Sequence, residues 1–325
     1  MLNDPVLVVV GEALIDLVPL GGNDQFQARP GGSPFNVAVG LARLGNRTAL
    51  MARLADNAFG RVLRDHAAAE GIDLSSAPHA IEPTTLAVVS LDDLAQASYD
   101  FYFEGTADWQ WTAAEIARLP VQTSVLHFGS IASWTEPGSV LLHDLATGAR
   151  ATGQVLVSYD PNVRPLLLGE PARARALVER SVGVSHVVKA STEDIEWLYP
   201  GVGSAHVGAR WTELGADLVV ITDGPEGAVA YRADQAPVGC AGRLVDVADT
   251  VGAGDAFTSG LLSALAQRGL HTPARVAQLS TADLSECLAE AVLVSSLTCE
   301  RSGADPPRAH PRPGTAPLTP ASFRP

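Results

Sequence analysis

The stretch Asp249-Thr250-Val251-Gly252-Ala253-Gly254-Asp255 sets a carboxylate directly after a run of small residues. Behind it, Ala256, Phe257, Gly260, Leu261, Leu262, Ala264 and Leu265 recur at helical spacing, which predicts a helix beginning there with one apolar stripe. Glycines at a helix start leave backbone N–H groups free to meet an anion. An acid in the first turn also suits the helix dipole. The stretch is therefore either a plain helix start or a catalytic base held beside an anion cradle.

Other residues could share such a site. Gly31-Gly32 precede Ser33-Pro34, with Asn36 one turn on; proline in a first helical turn is common, so structure alone could explain it. Asp16 is the one polar residue in Leu14-Ile15-Asp16-Leu17-Val18, and a buried carboxylate must find donors. Within Asp160-Pro161-Asn162-Val163-Arg164-Pro165, Arg164 could clamp a phosphate bidentately or pair with a neighbouring aspartate. Ser191-Thr192-Glu193-Asp194 reads as a capped helix start, with Ser191 or Thr192 as cap. Thr222, Gly224 and Gly227 read as a glycine turn.

These residues need a scaffold, and the apolar pattern supplies one. Short apolar runs at 6–11, 48–55, 124–130, 155–160, 186–191 and 217–224 alternate with amphipathic stretches such as 57–70, 137–150 and 171–183. Strands apolar on both faces and separated by helices imply an α/β fold, a doubly wound, mostly parallel sheet with helices on both faces. Ligands then bind beyond the carboxyl ends of the strands, where Gly11-Glu12, Asp160, Asn162, Lys189 and Thr222 fall. Segments 84–92 and 97–103 instead alternate in polarity like a hairpin, and 14–20 could join them as a small antiparallel β lid or dimer surface. From Asp305 to Pro325 seven prolines predict a loose tail.

Composition narrows the function. At 325 residues and 46% hydrophobic content the chain can bury a large core, and a net charge of −14 argues against nucleic-acid or anionic-membrane partners. Lys189 is the single lysine, which codon bias towards arginine explains as readily as function does. Cys240, Cys287 and Cys299 form no CxxC pair, so neither a disulfide framework nor a zinc site is indicated. No apolar run reaches the roughly 18 residues of a membrane helix, and the N-terminus lacks a basic region, so a cytoplasmic protein is expected. No GxxxxGK[ST] loop exists, and Phe257 breaks GxGxxG, so neither a P-loop nor a dinucleotide fingerprint is present.

The segment from Pro30 to Gly45 (PGGSPFNVAVGLARLG), together with DTVGAGDAF at 249–257, GEALIDL at 11–17 and DPNVRP at 160–165, resembles the ribokinase-like sugar kinases, the phosphofructokinase B family, and most closely their fructokinases. The resemblance spans roughly 6–307. It implies one kinase domain with a lid from about 12–20 and 84–105, followed by the tail at 308–325. It also implies ATP as donor, Mg2+, and a sugar whose primary hydroxyl is phosphorylated, fructose foremost; the segment EGTADWQWT at 104–112 favours fructose. A 2-keto-3-deoxygluconate kinase, a nucleoside kinase and a non-catalytic sugar or nucleotide sensor are the alternatives.

By the same resemblance Asp255 is the base, the amides of Gly252, Ala253 and Gly254 form the anion hole, and Arg164 serves the phosphoryl or sugar side. Asp16, Gly31, Gly32, Asn36 and Asn162 contact the sugar. Lys189, Thr222, Gly224, Gly227, Gly252 and Gly254 lie on the ATP side. Ser191 and Asp194 replace the family's Asn-x-x-Glu, so Asp194 would meet magnesium through water. Asp249, Val251, Thr298, Arg301 and Gly303 fall where some relatives bind a monovalent cation such as K+, while Pro307 replaces a side-chain oxygen there. Relatives often dimerise through the lid, so a homodimer is implied.

Overall fold

The computed structural model describes residues 4–21, 24–91 and 97–309, the side chains of 91 and 97–99 excepted. Its main sheet has eight strands in the order β14-β13-β12-β11-β10-β9-β1-β4. Six are parallel: β1 (Val6–Val10), β4 (Arg47–Met51), β9 (Thr123–Gly129), β10 (Leu156–Asp160), β11 (Val187–Ser191) and β12 (Leu218–Thr222). They coincide with the six apolar runs of the sequence. The last two, β13 (Gly227–Tyr231) and β14 (Val238–Ala241), run antiparallel at one edge.

Alternate side chains of each parallel strand enter two separate cores, because both sheet faces are covered. Leu7 and Val9 face α1 (Ser33–Arg43), α2 (Ala58–Ala69), α9 (Ala253–Gln267), α10 (Pro273–Ala277) and α11 (Thr281–Cys299). Val8 and Val10 face α3 (Ala113–Ile116), α4 (Gly138–Ala151), α6 (Pro171–Val182), α7 (Thr192–Leu198) and α8 (Ser204–Glu213), with the short α5 (Pro165–Leu168) beside them. Helix α9 departs from the expected single stripe. Its residues are buried continuously from Asp255 to Ala266, as befits a helix wedged between α1 and α11. Close packing there requires small residues: a Cβ on Gly40 would lie 2.3 Å from Ser259 Oγ, and one on Gly260 2.9 Å from Ala291 Cα.

The chain passes from β1 to β4 on one side, then returns to β9 on the other side of β1. The strand order therefore reverses at β1 and β9, and the ends of these strands open the crevice where such sheets bind ligands.

A second sheet of four strands, in the order β3-β2-β7-β8, forms the lid. It comprises β2 (Leu14–Pro19), β3 (Phe26–Gly31), β7 (Leu86–Leu91) and β8 (Ala97–Tyr102). A short pair, β5 (Leu54–Ala55) with β6 (His79–Ala80), lies near its base. Strand β3 is absent from the sequence reading, since Phe26-Gln27-Ala28-Arg29-Pro30-Gly31 shows no alternation. It is an edge strand, where Pro30 removes no needed donor, and pairing with β2 holds it. The lid is mixed rather than purely antiparallel, because β2 and β7 run parallel.

The C-terminal segment stays docked through Ala309. Arg43 bonds Asp305 and the Pro306 carbonyl, and Ala309 N donates to Arg43 O. The Pro-rich tail beyond lies outside the described residues. Among the described residues no helix is long and apolar enough to cross a membrane.

Candidate active site

Two glycine-led helix starts meet at the crevice. Gly252, at φ 76°, caps α9, and Asp255 occupies the first turn with 8% of its surface exposed. Gly32, at φ 99°, caps α1. Ser33 Oγ donates to Asp255 Oδ1 at 2.6 Å, and Asn36 Nδ2 donates to Asp255 Oδ2 at 2.8 Å. Both carboxylate oxygens are thus aimed by a helix 219 or more residues away in sequence. Burial raises the Asp255 pKa, against the pull of Ser33 and Asn36; nearby Asp160 raises it further and Lys189 opposes.

The amides at this start divide in two. Ala253 N donates to Thr250 O at 3.2 Å, so one of the three expected anion-hole amides is already engaged. Among the described residues no acceptor meets the N–H groups of Gly252, Gly254 or Asp255, which remain for a ligand. Lys189 stands beside them: a Cβ on Gly254 would lie 2.9 Å from Lys189 Nζ. Lys189 Nζ donates to Asp160 Oδ2 at 3.1 Å, and Thr258 Oγ1 donates to the same oxygen at 3.2 Å. Burial alone would lower the ammonium pKa, but Asp160, Asp194 and Asp255 more than offset it, and the net shift is upward. Lys189 is a fixed positive charge at a helix N-terminus, an arrangement suited to phosphate.

On the other side stand the sugar-side candidates. Asp16 on β2 leans on Gly31, where a Cβ would lie 2.1 Å from Asp16 Oδ2. Burial lifts the Asp16 pKa to about 6, with Arg164 and Arg29 opposing and Asp255 adding. Asn162 takes φ 39° after β10, donates from Nδ2 to Ser130 Oγ at 3.2 Å and accepts from Arg164 Nη1 at 2.9 Å. Arg164 forms no ion pair among the described residues, and its Nε and Nη2 carry no hydrogen bond there. A guanidinium held by one nitrogen keeps its other donors for a ligand.

The remaining candidates are each already engaged by, or held open within, the surrounding backbone. Ser191 and Asp194 form a capping box at the start of α7, and Asp194 also accepts from Val163 N at 2.8 Å. Each Asp194 oxygen therefore already takes one backbone amide. Thr222 Oγ1 bonds Ala190 O at 3.4 Å, next to the end of β11. Gly224, at φ 45°, faces open space, whereas a Cβ on Gly227 would meet Cys240 O at 2.1 Å, so Gly227 is demanded by the hairpin itself. Asp249 accepts from Val251 N and Gly303 N, tying the loop before α9 to the loop after α11 that holds Arg301, with Thr298 in the last turn of α11.

Ser33 and Thr258 join the site without any sequence signal of their own, and Glu12 carried only the signal of a strand end. Glu12 is fully buried at the end of β1, accepts from Ala132 N at 3.0 Å through Oε2, and leaves Oε1 without a partner. Burial pushes its pKa to about 7, with Ser130, Ala132 and Arg164 opposing. Its place after an apolar strand was the one available signal.

A buried carboxylate aimed by two donors, beside free amides and a fixed ammonium, has the groups that phosphoryl transfer to an alcohol calls for. Residues 5–310 match the pfkB family carbohydrate kinases. The chain belongs to that family. It is similar to the fructokinase of Rhizobium leguminosarum bv. trifolii, 37% identical over 279 residues, 84% of each chain. It is also similar to the fructokinase of Escherichia coli, 33% identical over 274 residues, 82% of this chain and 86% of that one. Among solved structures, Xylella fastidiosa fructokinase with bound ATP superposes with TM-score 0.84 at 26% identity, covering 93% of this chain and 94% of that one. Vibrio cholerae O395 fructokinase, bound to fructose, ADP and potassium ion, gives 0.80 at 30% identity with the same coverage.

Proposed function

We propose that this pfkB kinase transfers the γ-phosphoryl group of ATP to the primary hydroxyl of fructose, giving fructose 6-phosphate. One observation carries the mechanism: Asp255 is held by Ser33 and Asn36 in the same turn that offers the Gly254 and Asp255 amides. Asp255 takes the hydroxyl proton as the oxygen attacks phosphorus and the bond to ADP breaks. The free amides and Lys189 receive the charge that develops on the phosphoryl oxygens. Asp16, Asn36 Oδ1, Asn162 and the backbone at Gly31 and Gly32 hold the acceptor, and Arg164 bridges to the phosphoryl side. Thr222 and Gly224 flank the nucleotide. Fructose and ADP together in the Vibrio cholerae enzyme support this choice of acceptor and donor.

Magnesium would be held chiefly by the phosphates and water, the ion's usual habit. Asp194 fits at one remove, because its oxygens already accept amides and have one lone pair each left for metal-bound water. Its chemistry there is charge neutralisation. The proposed potassium residues fit less well. Pro307 offers no side-chain oxygen there, and Arg29 Nη1, a like charge, lies 3.0 Å from where a Gly303 Cβ would sit. The enzyme is accordingly expected to turn over with choline as the only monovalent cation.

The lid supports a homodimer. In register, Asp16 shares its face with Ala87 and Phe101, while Ile15, Leu17, Leu86 and Tyr102 share the other. Phe26 and Tyr102, 40% and 63% exposed, both lie on the face away from Asp16. Phe101 packs inward with Phe103, and Leu91 and Tyr99 have side chains outside the described residues. Tyr102→Asp should therefore split the dimer by light scattering, and a monomeric wild type would reject the shared lid. A cytoplasmic enzyme fits the three free cysteines.

A panel of purified sugars and nucleosides with ATP tests the whole reading. Fructose is expected to turn over fastest. Brisk turnover of 2-keto-3-deoxygluconate or a nucleoside with none of fructose would reassign the acceptor, and ligand binding with no ATP consumed would make the protein a sensor.

A further inference from the structure

The lid joins the main body at four crossings, and the buried carboxylate of Asp108 ties three of them together. Asp108 sits in the short 3-10 turn Ala107–Trp109, 1% exposed. Its Oδ1 accepts from Ala13 N at 2.9 Å, at the entry to β2. Its Oδ2 meets Thr85 Oγ1, at the entry to β7. Thr85 Oγ1 lies 2.6 Å from Thr106 Oγ1, at the exit from β8, and Thr106 Oγ1 bonds Phe103 O at 2.8 Å. The fourth crossing, Gly32, presses on the Glu12 backbone, where a Cβ would lie 2.8 Å from Glu12 O.

We propose that Asp108 is a positioning residue that fixes the lid's attitude through Ala13, Thr85 and Thr106, and thereby sets where Asp16 stands over the acceptor. Asp16 lies three residues past Ala13, and its neighbour Ile15 donates from N to Thr85 O at 3.1 Å. A shift at either crossing must therefore move Asp16.

Proton counting adds how Asp108 works. Three oxygen-to-oxygen contacts run in line, Asp108–Thr85, Thr85–Thr106 and Thr106–Phe103 O. The two threonine hydroxyls supply only two protons, so the third contact requires one on Asp108. Thr85 Oγ1 donates to Asp108 Oδ2 when the acid is ionised; once protonated, the acid donates to Thr85, Thr85 to Thr106, and Thr106 to the carbonyl. No cation pairs with Asp108 among the described residues. Arg53, the nearest, is spent on Glu82, Glu115 and Ala107 O. Burial pushes the Asp108 pKa to about 7, and Glu12 at the end of β1 raises it further while Arg53 opposes. Helix α4 touches this turn at Gly138 and brings no ionisable group before His143.

The role rests on the kinase reading, so the test includes an arm that needs no substrate. Hydrogen exchange and steady-state kinetics would compare wild type, Asp108→Ala, Asp108→Asn and Thr85→Val. Loss of a buried hydrogen bond to Asp108 should raise the acceptor KM about tenfold in Asp108→Ala, with the ATP KM moving less than about twofold. Amides of 14–19 and 86–90 should exchange about tenfold faster, while those of β9 and β10 keep wild-type rates. Asp108→Asn should rescue both readouts, because its carboxamide accepts from Ala13 and donates to Thr85 as the neutral acid does. If Asp108→Ala fails to fold, Thr85→Val, which cuts the relay at constant volume, should show the same acceptor-selective shift. An Asp108→Asn variant as damaged as Asp108→Ala would overturn the proposal. So would parallel shifts in both KM values, unaltered lid exchange, or an unaltered acceptor KM in Thr85→Val. Wild type that ignores fructose while the exchange pattern holds removes fructose and leaves the hinge standing, with KM then read on the acceptor that turns over.

Discussion

The two helix starts at the site look alike in sequence, paired glycines and then a helix, but they do opposite chemistry. Glycines 31 and 32 let carboxyl-bearing residues approach α1: Asp16 at one position and the Glu12 backbone at the other. Glycines 252 and 254 let the Ala304 loop and the Lys189 ammonium approach α9. In the proposed mechanism one start gathers acceptors for sugar hydroxyls, and the other gathers donors for phosphate. Asp255 belongs to the second by chain and to the first by hydrogen bonds, and the proposed mechanism has the acceptor oxygen and the phosphorus meet there. Small residues at a helix start therefore say that something comes close, and the sign of its charge has to be read from the rest of the fold.

The sharpest break of this comparison is Asp255→Asn. An amide of the same shape cannot take the hydroxyl proton, and loss of a general base should lower kcat by about 10²–10⁴-fold. Nucleotide affinity should stay near wild type in a binding titration, since Lys189 and the free amides are untouched. Retention of more than about a tenth of wild-type kcat would move the base elsewhere.

Next in size are the glycines themselves, which should separate the two substrates. Gly31→Ala would place a Cβ 2.1 Å from Asp16 Oδ2, so the carboxylate must turn away. The acceptor KM should rise about tenfold or more, the worth of a charged hydrogen bond, with the ATP KM unchanged. Asp16→Ala should reproduce that pattern.

Gly254→Ala should act on the other substrate and less strongly. Its Cβ would meet only the end of the Lys189 chain, at 2.9 Å, and that chain can yield at the cost of its bond to Asp160. A rise in the ATP KM of roughly three- to tenfold is expected, with the acceptor KM flat. Equal effects of both glycine variants on both substrates would collapse the distinction between the two starts.

How far this was legible varies with the physics behind each element. The six parallel strands were visible because burial on both faces leaves a continuous apolar run. Asp255, Asp16 and the glycines stood out as residues costly to place where they are. Strand β3 was hidden because its exposed tip imposes no pattern, and pairing with β2 makes it a strand. Ser33 as a donor to Asp255 could not be read, since a serine before proline at a helix start needs no further reason. Asp108 lay inside a segment already noted for its likeness to fructokinases, but the hinge it holds exists only once Ala13, Thr85 and Thr106 are brought together.

The smallest expected effect concerns the lid hinge rather than the helix starts, and it appears in stability. Burial raises Asp108 from 3.8 to about 7 and Glu12 from 4.5 to about 7, each opposed by hydrogen bonds and a nearby arginine. Between those values the native protein holds protons that the unfolded chain has already released. Stability must therefore fall as pH rises through that window, the reverse of a salt-bridged carboxylate. Asp108→Asn cannot ionise, so it escapes Asp108's share of the loss and keeps only that of Glu12. Its Tm relative to wild type should climb between about pH 5 and about pH 8, by on the order of 5 °C. Thermal unfolding followed by circular dichroism at several pH values reads the difference directly, and titrating groups not coupled to Asp108 cancel because both proteins share them. A difference that stays flat across the range would mean that Asp108 titrates as an ordinary carboxylate, and the acceptor side of the site would then rest on an ionised hinge.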